Sequence, residues 1–131
     1  MFRKLLTTTI LCVTVVIATG CSTLADARKA EGEGVKQTYQ ATFKQTWDAS
    51  LAALSKLNLG VASENQQQGY ILAQRGISAF SYGENIALFV KKQTDLSCTV
   101  EVVSKKAMAT NIFATDWTQD IHREIARTLS K

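Results

Sequence analysis

The chain has 131 residues, with 15 basic and 11 acidic side chains, one His, three Cys and no Pro. Its 46% apolar and 20% charged composition excludes a disordered chain and predicts one compact domain, since folds of this length share a single core. One histidine and three cysteines leave little from which to build a multi-ligand metal site, and the formal charge of +4 describes the whole chain, leader included.

The leader comes first. Phe2-Arg3-Lys4 supply a short positive start, and Leu5 to Ile17 form 13 residues without a charge. A signal-peptide core has this length, whereas a bilayer span needs about 20 apolar residues. Ala18-Thr19-Gly20 then lead into Cys21, so residues 1–20 read as a signal peptide. The competing readings are a plain secretory signal followed by an incidental cysteine, or a short membrane anchor.

The junction Ile17-Ala18-Thr19-Gly20-Cys21-Ser22 resembles the lipobox of bacterial lipoproteins, with Ala18 standing where Leu is usual. The resemblance implies diacylglycerol transfer to the Cys21 thiol, cleavage after Gly20 and acylation of the new amino terminus. A thiol suits that transfer because its thiolate is a strong nucleophile. Aspartate after the cysteine commonly retains such proteins in the inner membrane. Ser22 stands there instead, so the resemblance implies the outer membrane, with the protein on its periplasmic face. Two or three acyl chains anchor firmly where one does not.

Processing would also change the charge. Loss of Arg3 and Lys4 leaves 13 basic against 11 acidic side chains, which removes the electrostatic case for a nucleic-acid partner. Cys12 leaves with the leader and Cys21 carries lipid, so Cys98 is the one remaining thiol, expected to be a buried small hydrophobe.

Residues 21–36 read as a lipidated terminus and flexible tether, for Ser22 to Lys36 are polar, mixed in charge and carry Gly32 and Gly34. A short helix over residues 24–31 is the alternative. The folded domain is expected at 37–131. A short strand ends near Ala41, and Thr42 with Gln45 has the spacing of a capping box, in which hydroxyl and amide each satisfy an orphan backbone donor. A helix over 43–57 follows, with Phe43, Trp47, Leu51, Leu54 and Leu57 on one stripe.

Leu59, Val61 and Ser63 begin the next strand, Glu64 to Gly69 turn the chain, and Tyr70 to Arg75 form another strand. Gly76 to Gly83 is a loop carrying Ile77, Phe80 and Tyr82. Ile86, Leu88 and Val90 then alternate with the opposite face, as do Cys98, Val100 and Val102. A hairpin closing over Gln93-Thr94-Asp95 puts Val90 opposite Cys98, Leu88 opposite Val100 and Ile86 opposite Val102, where a slip of one residue would split the apolar faces. Residues 115–130 read as a closing helix capped by Thr115, with Trp117, Ile121, Ile125 and Leu129 as its stripe.

The order β-α-β-β-β-β-α predicts an α+β fold of two layers, an antiparallel sheet with two helices packed on one face. On Tyr39–Leu54 and Asn111–Ile121, behind the lipobox, the chain resembles small proteobacterial outer-membrane lipoproteins of unknown function. More distantly it resembles the helix-grip domains of the C lipoprotein of the β-barrel assembly machinery. Those segments are structural and transfer a fold rather than an active site.

No catalytic constellation is legible, so the expectation is a protein that is not an enzyme and takes no cofactor or metal. His122 lies off the apolar stripe of the last helix and is expected in solvent. Asp116 and Asp120, four apart, read as first-turn charges rather than a catalytic pair. Lys91-Lys92 and Lys105-Lys106 read as solubilising pairs at opposite ends of their strands. Apolar residues in a loop either fold onto the core or meet a partner. Ile77, Phe80 and Tyr82, joined by Met108, Ile112 and Phe113, are thus the candidate contact with an envelope protein. The expected role is structural or interactive at the membrane that Cys21 holds, and a periplasmic small-ligand or lipid-binding module is the alternative.

Overall fold

A computed structural model describes residues 22–76, 83–108 and 114–131. Its elements, in chain order, are α1 (Leu24–Lys29), β1 (Val35–Tyr39), α2 (Phe43–Lys56), β2 (Gly60–Asn65), β3 (Tyr70–Arg75), β4 (Glu84–Thr94), β5 (Ser97–Lys106) and α3 (Thr118–Leu129). The five strands form one antiparallel sheet in the order β1-β5-β4-β3-β2, so β1 and β2 are its edges. The fold is α+β, with α2 and α3 packed together on one sheet face.

Period-two alternation decides what each face receives. Ile71, Ala73, Ile86, Leu88, Val90, Val100 and Val102 point to the face covered by α2 and α3. Trp47, Leu54, Ile121 and Ile125 meet them from the helices, and Phe43, Leu51, Leu57 and Leu129 close the margins. The two apolar stripes read from the sequence are therefore the ones buried. Thr42 and Gln45 make the expected capping box: the Thr42 hydroxyl accepts from the Gln45 amide at 3.2 Å, and the Thr42 amide donates to the Gln45 side chain at 3.0 Å.

The opposite face is also covered, which corrects the tether and bears out its alternative, the short helix expected over residues 24–31 and found at Leu24–Lys29. Residues 22–36 are not a spacer: α1 packs Leu24, Ala27 and Ala30 against Leu72, Ala87, Phe89 and Val103, and β1 starts at Val35. Six residues are too few for a helix to hold in water on its own. This one is fixed by burial of its alanines and by a second capping box, between Thr23 and Asp26. The polarity that suggests a tether belongs to its outer side. In the turn from α1 to β1, Glu101 Oε1 accepts the amides of Gly32 and Gly34 at 2.6 and 2.8 Å. A Cβ on Gly34 would stand 2.5 Å from the Val102 carbonyl oxygen, so this turn lies flat on β5 only with glycine there.

The β4–β5 hairpin corrects the expected register by two residues. Val90 pairs with Val100, Leu88 with Val102 and Ile86 with Ser104. The turn is shorter and later than read, with Thr94 opposite Ser97 across Asp95-Leu96, and an irregularity between Lys92 and Thr94 takes up the difference. A shift of two preserves which face each side chain occupies, so the core is unchanged, and Cys98 is buried as expected. The last helix is also trimmed. Trp117 is its N-cap, and Thr115 instead donates its amide to Glu84 Oε1 at 3.1 Å.

Candidate functional site

Cys21, Ile77, Phe80 and Tyr82 lie outside the described residues, as do Ile112 and Phe113. The described residues next to them converge. Ser22, Gly76, Gly83, Ala107 and Met108 all stand at one end of the sheet, where β3 and β5 finish and β4 begins. Arg75 pairs with Glu84, and Glu84 with Lys106, across three adjacent strands. An open cavity of about 260 Å³ lies here between Gln74, Arg75, Gly76, Gly83, Glu84, Asn85 and Ala107.

Ser22 is held into this end by every polar group it has. Its amide donates to the Ala107 carbonyl at 2.9 Å, its hydroxyl donates to the Lys106 carbonyl, and its own carbonyl accepts from Asn85 Nδ2 at 2.8 Å. Asn85 is itself oriented by Gln74, whose Nε2 donates to Asn85 Oδ1 at 2.8 Å. Because the Ser22 carbonyl can only accept, this arrangement admits one orientation of the Asn85 amide. The Ala107 amide donates onward to the Gly83 carbonyl at 3.1 Å. Gly83 has φ +102°, and a Cβ there would stand 2.8 Å from the Arg75 carbonyl oxygen. Only glycine lets β4 start so close to the end of β3.

Two cations face outward here. Lys106 is exposed, and Arg75 lies with its guanidinium 5.0 Å from the Trp117 ring centroid. The other lysines of the expected pairs are matched to carboxylates: Lys91 to Glu31 at 2.7 Å, Lys92 to Asp95 at 2.7 Å, and Lys105 to Glu33 at 3.2 Å. Lys91 and Lys105 thereby clip the α1–β1 turn to the sheet, a role their sequence positions did not reveal.

His122 corrects the expectation of a solvated side chain: it is 1% exposed. Its Nε2 lies 2.8 Å from the Val35 carbonyl and its Nδ1 lies 2.7 Å from the Tyr39 hydroxyl. The carbonyl accepts only, so Nε2 carries the proton and Nδ1 accepts from Tyr39. Burial holds the imidazole below its ordinary pKa, outweighing the opposing hydrogen bond to Val35, and burial also raises the Tyr39 phenol. The geometry ties edge strand β1 to α3. Of the two aspartates, Asp116 accepts the Thr118 amide at 3.0 Å and Asp120 pairs with Arg123, so each has a structural partner.

Glu84, Asn85 and Glu101 were missed as structural anchors. Glu101 carried a signal, a carboxylate set between Val100 and Val102, whereas Glu84 and Asn85 adjoin each other at the start of β4 and carried none; all three are nearly fully buried. Among the described residues no group of three or more His, Cys, Asp or Glu side chains is placed to hold a metal ion, and no helix is long and apolar enough to cross a membrane. No protein-family profile matches the chain, and no curated protein matches it significantly.

Proposed function

We propose that this chain is a lipid-anchored envelope lipoprotein with a non-catalytic, structural or protein-interacting role on the periplasmic side of the outer membrane. The observation that carries the reading is the fixed position of Ser22. The residue directly after the lipobox cysteine is hydrogen-bonded to β4 and to the end of β5. A leader ending at Gly20 would thus release a chain whose second residue already belongs to the fold. Ile77, Phe80 and Tyr82, in the segment joining Gly76 to Gly83, are the proposed contact with an envelope partner.

Labelled palmitate tests the anchor. Wild-type protein is expected to incorporate label and to fractionate with the outer membrane, and Cys21→Ala to lose the label and remain as the longer precursor. Label that survives Cys21→Ala overturns the reading. The small-ligand alternative draws on a groove of about 530 Å³ between α2 and the end of α3, lined by Ala41, Ala49, Ala52 and Leu129 with Gln40, Gln45 and Asp48 at its sides. Thermal stabilisation by a peptidoglycan fragment or a phospholipid would favour it.

A further inference from the structure

We infer that the sheet end carrying Ser22, Arg75 and Lys106 lies directly against the phospholipid headgroups, so that anchor and domain move as one body with a fixed orientation. The inference rests on acylation of Cys21. Consecutive Cα atoms are about 3.8 Å apart, so Ser22 cannot leave the level of Cys21 by more than that. The glycerol joined to the Cys21 sulfur sits among the headgroups, a layer about 5–7 Å deep in each leaflet. Ser22 has no freedom to swing away, because its amide, hydroxyl and carbonyl are bound to Ala107, Lys106 and Asn85. A tether of fifteen extended residues would have lifted the domain by up to about 50 Å. Folding of α1 and β1 onto the sheet removes that reach.

The chemistry of this end suits the surface it would meet. Arg75 and Lys106 are exposed cations at this same end of the sheet, on the face of Trp117 and Val102 rather than the Asn85 face that holds Ser22, and they meet lipid phosphates from there. The far end is set by the strands. The eleven residues of β4 span about 35 Å, which carries the Asp95-Leu96 turn well into the aqueous space, and the Gln66–Gly69 turn, beside Val90, stands about 20 Å along the strand. Leu96, 70% exposed at that tip, is thereby kept off the membrane.

Depth-dependent quenching reads the orientation. Full-length Lys106→Cys and Leu96→Cys proteins, acylated in cells and purified, are labelled with a fluorophore and placed in phosphatidylethanolamine–phosphatidylglycerol vesicles containing a headgroup spin-labelled lipid. Cys98 is fully buried, so the native protein should take up little label. The label at Lys106 should be quenched several-fold more than that at Leu96. A second pair, Arg75→Cys against Gln67→Cys, guards against one variant that fails to fold. Equal quenching at the two ends, in protein that carries lipid by mass spectrometry and stays on the vesicles, overturns the orientation while leaving the anchor standing. Protein that carries no lipid overturns both. Shielding of Lys106 in native membranes but not in pure lipid would show protein rather than headgroups over Lys106, which overturns the lipid contact and leaves the proposed partner contact of the Gly76–Gly83 segment standing.

Discussion

The two faces of the sheet are covered by different means. On one, two helices of 14 and 12 residues press Trp47, Leu54, Ile121 and Ile125 into a bed of Ile, Leu and Val. On the other, a helix of six residues and its C-cap lay Leu24, Ala27 and Ala30 over Leu72, Ala87, Phe89 and Val103. The first face is held by burial of large side chains, at roughly 25 cal/mol for each Å² of apolar surface removed from water. The second has little apolar area to remove, and it is held at its borders instead. Thr23 and Asp26 cap the helix, Arg28 lies 4.3 Å from the Tyr70 ring centroid, Glu101 takes two turn amides, and Ser22 is bound at the sheet end. Large cores unfold together, whereas a thin cover held by polar contacts can open alone.

That contrast can be broken from either side. Leu54 is fully buried among the side chains of the thick face, and Leu54→Ala should cost about 2–5 kcal/mol, lowering the denaturation midpoint of the whole domain. Amide exchange should then rise together in α2, α3 and the central strands. A loss confined to α2 would show that the thick face is not one cooperative unit. Gly34→Ala addresses the other face. Its Cβ would press on the Val102 carbonyl and on Val103 and Glu101, an overpacking worth about 1–3 kcal/mol. Hydrogen exchange should show α1 and the start of β1 opening while β3, β4 and α2 keep their protection. Equal deprotection of both faces would show that the α1 cover is part of the global unit.

The same contrast explains what was legible in the sequence. Large apolar residues at spacings of two or three to four leave a pattern, so α2, α3, β3 and the apolar parity of β4 and β5 could be read. The hairpin register could be read only to within two residues, because a shift of two returns every side chain to its own face. The thin face leaves almost no pattern. Ala27 and Ala30 are buried by what lies beneath them rather than by any periodicity of their own, and the surrounding charges look like those of a spacer. Around Ser22 the sequence offers only a resemblance of the preceding junction to a lipobox. The hydrogen bonds that hold Ser22 come from Asn85, Lys106 and Ala107, residues 63 or more positions away, and local sequence carries no trace of such closures. His122 was misread for a related reason: it sits beside the apolar stripe of α3, and only edge strand β1, crossing from the other end of the chain, makes that side an interior.

His122 also gives the smallest and most specific effect, for it joins the β1 edge, continuous with the thin cover, to a helix of the thick face. The folded protein keeps the imidazole neutral with its pKa lowered by burial, while the unfolded chain titrates it near the ordinary value of 6.5. As pH falls through 6.5, the unfolded state binds the proton first, so stability present at neutral pH is lost as pH drops towards the lower folded value. The slope cannot exceed about 1.4 kcal/mol per pH unit for one proton, and it disappears below the folded pKa. Asp26, Glu31, Asp95 and Glu124 have carboxyls lowered below the ordinary range, and their losses come at more acid pH, in a separate window. His122→Gln should cost about 1 kcal/mol at pH 7, since the Val35 carbonyl and the Tyr39 hydroxyl lose a fitted partner. It should also flatten the dependence of stability between pH 6.5 and 5. Tyr39→Phe should lose a similar amount and keep the slope, because burial, the larger cause of the lowered pKa, remains. A His122→Gln protein that retains the wild-type slope in that window would remove the imidazole from the link between the two faces.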